Sequence, residues 1–199
     1  MKRNRTQTPN TKEKLLQEAL DLFYKQGYPN TGINQLLENS GVFRKSFYLH
    51  FSGKEELGIE YLKVQDKEYI GYMRNMMRRY PDANDFIPAW CRILIRKMKN
   101  KEFVGCPFAN FTLQTLGQSK PFEDTVKEIM QRWKKEISVY FEKASYSGKS
   151  WKSKNPDELA LKFLACYQGW VQLSMTMGDT KLLFQLSDEL EQLVEPYYA

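Results

Sequence analysis

Residues 41–56, GVFRKSFYLHFSGKEE, hold a glycine turn, two adjacent cations, the single histidine of the chain and the start of a further helix. Val42, Phe47 and Phe51 fall at spacings of five and four, which predicts one buried side of a short helix. Arg44, Lys45, Tyr48 and Leu49 lie largely off that side. Just upstream, Thr31 stands where it would cap another short helix, with Ile33, Leu36 and Leu37 as its apolar positions and Asn39-Ser40-Gly41 as its end. Two short helices joined by a glycine break make a helix-turn-helix, and the second reads as a recognition helix.

The flanks agree. Thr11 is placed to cap a first helix carrying Leu15, Leu16, Ala19, Leu20 and Phe23 on one side, ended by Gly27 and Pro29. Ser52 and Glu55 have the spacing of a capping box at the start of a long fourth helix that runs toward Tyr80-Pro81. Further helices are predicted at 85–100, 107–117 and 121–145, divided by Gly105-Cys106-Pro107 and Lys120-Pro121. Asn155, Pro156, Asp157 and Glu158 then supply a cap, a proline at the first helical position and two acids in the first turn, for a helix ending near Gly178. A last helix from about residue 180 carries Leu183, Leu186, Leu190 and Leu193. The sequence thus predicts an all-α chain of nine helices, with a head at 1–53 and a bundle at 54–199.

Charge separates those two parts. The chain has 199 residues, 42% of them hydrophobic, and a net charge of +6. Residues 1–54 hold nine Lys and Arg against four acids, while the rest holds 21 cations against 20 acids. Nearly all the imbalance therefore sits with the recognition-helix pattern, as binding to phosphates requires. A protein that binds nucleic acid without sequence preference would share this charge, so that class stays open.

Enzyme chemistry fits poorly. With one histidine, and that in the recognition helix, no Cys-His or Ser-His pair is available in the body. No phosphate-binding loop or nucleophile-elbow sequence occurs, no cofactor is implied, and the three cysteines have no zinc spacing. Acid pairs such as Glu123-Asp124 and Asp157-Glu158 stand in first helical turns, where they serve the helix dipole. The charge-free stretches 103–119 and 163–178 are shorter than the roughly 20 apolar residues of a membrane span, so no membrane partner is expected. The basic N-terminus lacks the apolar segment of a secretory signal, and a cytoplasmic location is the default.

The last helix is apolar along a narrow seam, and the helix before it (Leu159, Phe163, Leu164, Tyr167, Trp170, Val171, Leu173, Met175) over more than one face. This suggests a homodimer closed by a four-helix interface, with burial of both helices inside one monomer as the alternative. Paired heads also suit a palindromic double-stranded operator.

The segment from Thr11 to Leu57, TKEKLLQEALDLFYKQGYPNTGINQLLENSGVFRKSFYLHFSGKEEL, resembles the TetR family of bacterial transcriptional regulators. Gly41-Val42, Phe47, Tyr48, His50, Phe51 and Lys54-Glu55 carry the match. The resemblance implies a DNA-binding repressor released by a small-molecule effector. It implies that Thr31 is a phosphate-contacting hydroxyl, that Tyr48, His50 and Lys54 clamp the DNA backbone, and that Arg44, Lys45 and Ser46 meet base edges. Lys2, Arg3 and Arg5 would form a basic arm or an untethered tail. Phe43 and Leu49 depart from the family pattern. Phe43 removes a helix cap worth roughly 1 kcal/mol, and is left to touch a thymine methyl or to pack.

In the body, the segment 105–122, GCPFANFTLQTLGQSKPF, resembles that of a subgroup including electrophile-responsive repressors, whose sensor cysteine matches Cys106. A helix start beside Cys106 would favour its thiolate; the opposite reading is a small inert hydrophobe. Cys91 and Cys166 stand in apolar helical contexts and read as core.

Overall fold

The computed structural model describes residues 10–152 and 155–199; Lys2, Arg3 and Arg5 lie outside them. Among the described residues there are nine α-helices: α1 (Thr11–Lys25), α2 (Ile33–Ser40), α3 (Arg44–Tyr48), α4 (Lys54–Arg79), α5 (Ala83–Lys99), α6 (Pro107–Thr115), α7 (Lys120–Lys143), α8 (Pro156–Met177) and α9 (Leu182–Val194). A short 3-10 turn, Glu195–Tyr197, follows. The all-α, nine-helix architecture is the one read from the sequence.

The chain folds into two compact units. One holds residues up to Gln65 together with Phe111–Thr125, and the other Asp66–Asn110 with Val126–Ala199. Phe111 and Phe122 belong to the core of the first unit although they lie far along the chain from it.

In that unit α1 packs on α2 and α3 through Leu15, Ala19 and Phe23, which are buried. The cap of α1 is Asn10 rather than Thr11. Asn10 Oδ1 accepts from the Glu13 N–H at 3.0 Å, and the Glu13 carboxylate accepts from the Asn10 N–H at 2.9 Å, a reciprocal box that satisfies two otherwise orphaned donors. Beyond α1, Tyr28 is the centre of a ring cluster, with Phe23 at 5.0 Å and Phe111 and Phe122 each at 5.1 Å. Tyr61 of α4 closes it from the other side, 5.4 Å from Phe23 and 5.8 Å from Phe111. Rings can approach this closely because residue 58 is glycine: a Cβ there would lie 3.0 Å from Tyr28 and 3.1 Å from Phe122. The Tyr28 N–H also donates to Gln114 Oε1 at 2.9 Å. Burial among these groups, with Glu55 nearby, pushes the Tyr28 hydroxyl up to about 12.

In the second unit the start of α8 is as the sequence reads: Asn155 Oδ1 accepts from the Glu158 N–H at 3.0 Å, and Gly178 ends the helix in the left-handed region. Asp82 caps α5, accepting from the Asn84 N–H at 2.9 Å. The seam of α9 differs from expectation. Leu183, Leu186 and Leu190 are wholly buried, Leu193 is only partly so, and Val194 is the fourth buried residue; α9 packs on α8 and α5 of its own chain, so this seam already has its partners. Trp90 is stacked on Phe163 at 5.3 Å between ring centres and tilted against Tyr167 at 4.9 Å.

Candidate nucleic-acid interface

The turn between α2 and α3 is set by Gly41, which adopts φ 65° at the end of α2 and donates to the Glu38 carbonyl. Side chains other than glycine pay a steric penalty in that conformation. Phe47 and Phe51 then enter the core, 0 and 1% exposed, with Val42 partly buried beside them. Anchoring these rings turns Arg44, Lys45, Tyr48, Leu49 and His50 outward, and Ser46 is half-buried. The α-helix itself is short, five residues from Arg44 to Tyr48. Position is therefore enforced by the two buried rings rather than by helix length.

Two of the residues assigned to DNA contact have other engagements. Thr31 is fully buried and does not cap α2, whose cap position is Gly32 without a side-chain bond. Its hydroxyl donates to the Gly27 carbonyl at 2.9 Å and accepts from Gln26 Nε2 at 3.0 Å. Gln26 Nε2 also donates to Gln35 Oε1 at 2.7 Å. Thr31 thus ties the end of α1 to α2, and its inward hydroxyl presents nothing to a phosphate. Lys54 opens α4 with its Nζ 4.2 Å from the centre of the Tyr28 ring. Burial there lowers its pKa from the ordinary lysine value.

The acid that bonds Ser52 is Glu56, one residue beyond the Glu55 expected for a capping box. Glu56 accepts from the Ser52 N–H at 2.7 Å, and the first helical carbonyl is that of Gly53, which accepts from Leu57.

Asn34 is a residue that the sequence reading missed. The Arg44 guanidinium donates to its Oδ1, so the leading cation of α3 is held by the first turn of α2. Asn at the second position of a helix carries no signal by itself; only the bend of the chain pairs it with Arg44. An open notch of about 430 Å³ lies at this elbow, lined by Asn34, Leu37, Glu38, Gly41, Val42, Phe43 and Arg44.

In the second unit Cys106 is buried, and burial pushes its thiol up even though the Ala109 and Phe108 N–H groups face it. The helix-start effect expected to favour thiolate is outweighed. Cys91 is buried as expected, its thiol pushed up to about 12 mainly by burial. Cys166 is only partly buried, contrary to the core reading.

An outward, cation-bearing α3 seated on a buried helix-turn-helix defines a DNA-binding regulator. Residues 15–61 match the family model of bacterial regulatory proteins of the tetR family. Residues 85–188 match that of the tetracyclin repressor-like C-terminal domain. The chain is 31% identical over 189 residues to the HTH-type transcriptional regulator LmrA of Bacillus subtilis, covering 94% of this chain and 97% of LmrA. It is 27% identical to YxaF of the same organism over 95% of this chain and 97% of that one. A TetR-family structure from Cytophaga hutchinsonii shares its fold with a TM-score of 0.81 at 16% identity, over 95% of each chain. Reduced Escherichia coli NemR does so with a TM-score of 0.73 at 18% identity, over 96% of this chain and 98% of that one. The chain belongs to the TetR family of transcriptional regulators. Among the described residues, no helix is long and apolar enough to cross a membrane.

Proposed function

We propose that this regulator is a cytoplasmic, homodimeric repressor that reads a palindromic operator through Arg44, Lys45 and Ser46, with Tyr48, His50 and Lys54 against the DNA backbone. The observation that carries this reading is the outward presentation of Arg44 and Lys45 beside two anchoring rings, with Arg44 already oriented by Asn34. Guanidinium facing guanine is the commonest specific contact in a major groove. Thr31 acts as a positioning residue, holding α2 in place from within. Its role is thereby different from the phosphate contact that the family resemblance implies.

Dimerisation is assigned to α8. Leu161, Ala165, Gly169, Leu173 and Met177 recur every four residues and are all exposed, an apolar stripe with small residues at its centre. Pairing of α8 with α8 across a two-fold axis buries this stripe.

For the effector we propose a closed site in the second unit. A void of about 20 Å³ is lined by Tyr69, Cys106, Phe108, Met130, Trp133 and Tyr167 among others, room for about one water. A surface groove of about 420 Å³ shares Met130, Leu164 and Gln168 with it and is lined also by Leu161 and Ala165 of the α8 stripe, so a ligand in the groove competes with the pairing of α8. A flexible methionine is a low-barrier door, and a ligand that opens it would shift the population of DNA-competent dimers. Modification of Cys106 is a second route to the same shift, and requires that opening first.

The test is the ratio of affinities for a palindrome selected from a random pool and for unrelated DNA, at one stated salt concentration. The reading expects a ratio of roughly a thousand or more. A ratio near one supports binding without sequence preference instead.

A further inference from the structure

Phe43 is the most exposed large hydrophobic residue described, at 83%. It occupies the cap position of α3 with extended backbone and no side-chain bond to the helix. Both features weaken the isolated protein: a hydroxyl or carboxamide there would satisfy an orphan N–H, and a phenyl ring in water gains nothing from burial. No packing inside its own unit compensates, so the alternative that Phe43 simply packs is removed.

Its surroundings restrict what could cover it. Phe43 forms one wall of the notch that also holds Arg44, Asn34 and Glu38. The Glu38 carboxylate disfavours a phosphate in that notch, whereas base edges carry no net charge. Among the groups that bases show in the major groove, the one apolar group is the thymine C5-methyl. Arg44 is the next residue along the chain, so a ring at 43 would fall beside the base that Arg44 reads.

We infer that Phe43 is a specificity-determining residue of this regulator, reading the methyl group of a thymine next to the base contacted by Arg44 in each half-site. This rests on the reading of α3 as a base-contacting helix. A cap residue is exchanged for a reader, at the expense of helix stability.

The test uses the full-length protein and the palindrome that it selects from a random duplex pool. Each thymine is replaced in turn by deoxyuridine, which keeps every hydrogen-bonding group and removes only the methyl. One replaced position per half-site is expected to weaken binding roughly fourfold, the worth of one buried methyl group. Phe43→Ser supplies a capping hydroxyl, so it folds at least as stably; it is expected to bind thymine and deoxyuridine duplexes alike. The inference is overturned if no deoxyuridine position weakens the parent, or if Phe43→Ser retains the same loss. Should the parent select no sequence at all, the base-reading role of α3 fails first, an outcome distinct from a selected palindrome indifferent to its methyl groups.

Discussion

Two helices leave apolar side chains in solvent, and their neighbours give them different meanings. On α3 and its ends, Phe43, Tyr48 and Leu49 are 83, 49 and 74% exposed among Arg44, Lys45 and His50. On α8, Leu161, Leu173 and Met177 are 60, 49 and 67% exposed, along a stripe whose intervening members are Ala165 and Gly169. Exposure alone would suggest two patches of the same kind. Charge and side-chain size separate them: a ring beside a guanidinium suits a groove that is polar and anionic, whereas small residues between large ones let a second helix approach. This difference supports the proposed assignment of the outward face of α8 to another copy of the chain and of α3 to DNA.

That contrast can be broken most forcefully at α8. Leu173→Glu should leave helicity intact but give a monomer by analytical ultracentrifugation, with operator affinity reduced roughly a hundredfold or more as paired half-site binding is lost. A dimer unaffected by this charge would assign the stripe to something else. At α3, Arg44→Ala should lose roughly 1–3 kcal/mol and relax preference at one position of each half-site, measured by binding to single-base variants. Asn34→Ala should relax the same position by less, since it frees the guanidinium without removing it.

Smaller effects sharpen the distinction between reading and clamping. Lys54→Ala should weaken all sequences alike and reduce the slope of log affinity against log salt by about 1; sequence-dependent loss would move Lys54 from the backbone to the bases. The smallest effect involves no affinity change. With a maleimide, native protein should react first at Cys166, which is partly exposed on α8, while Cys106 and Cys91 remain buried. Rapid labelling of Cys106 would show its void opening without an effector.

Local chemistry made most of this fold legible in the sequence. Asn155-Pro156-Asp157 declares a helix start through three independent effects, and the spacing of Val42, Phe47 and Phe51 finds the buried side of α3. What the sequence hid depended on distance along the chain. Phe111 and Phe122 join Tyr28 and Phe23 from a remote part of the chain, which no periodicity reports. Adjacent candidates also mislead: Thr11 and Glu55 have the right chemistry for the starts of α1 and α4, but Asn10 and Glu56 make the bonds. Thr31 shows the same limit at the site, where its hydroxyl turned inward once Gln26 and the Gly27 carbonyl offered partners. Three leucines of the expected α9 seam, Leu183, Leu186 and Leu190, are buried, with Val194 in place of Leu193, and nothing local reports that α5 and α8 of the same chain cover them.

Under the proposed function, two α3 helices, paired through α8, read two half-sites at once. Inserting about five base pairs between the half-sites of the selected palindrome rotates one half-site by half a helical turn. Titration of this duplex is expected to give an affinity near that for unrelated DNA, while an insertion of about ten base pairs retains the rotational phase and differs only in reach. Unchanged affinity for the half-turn duplex would contradict it, because each head would then be binding alone.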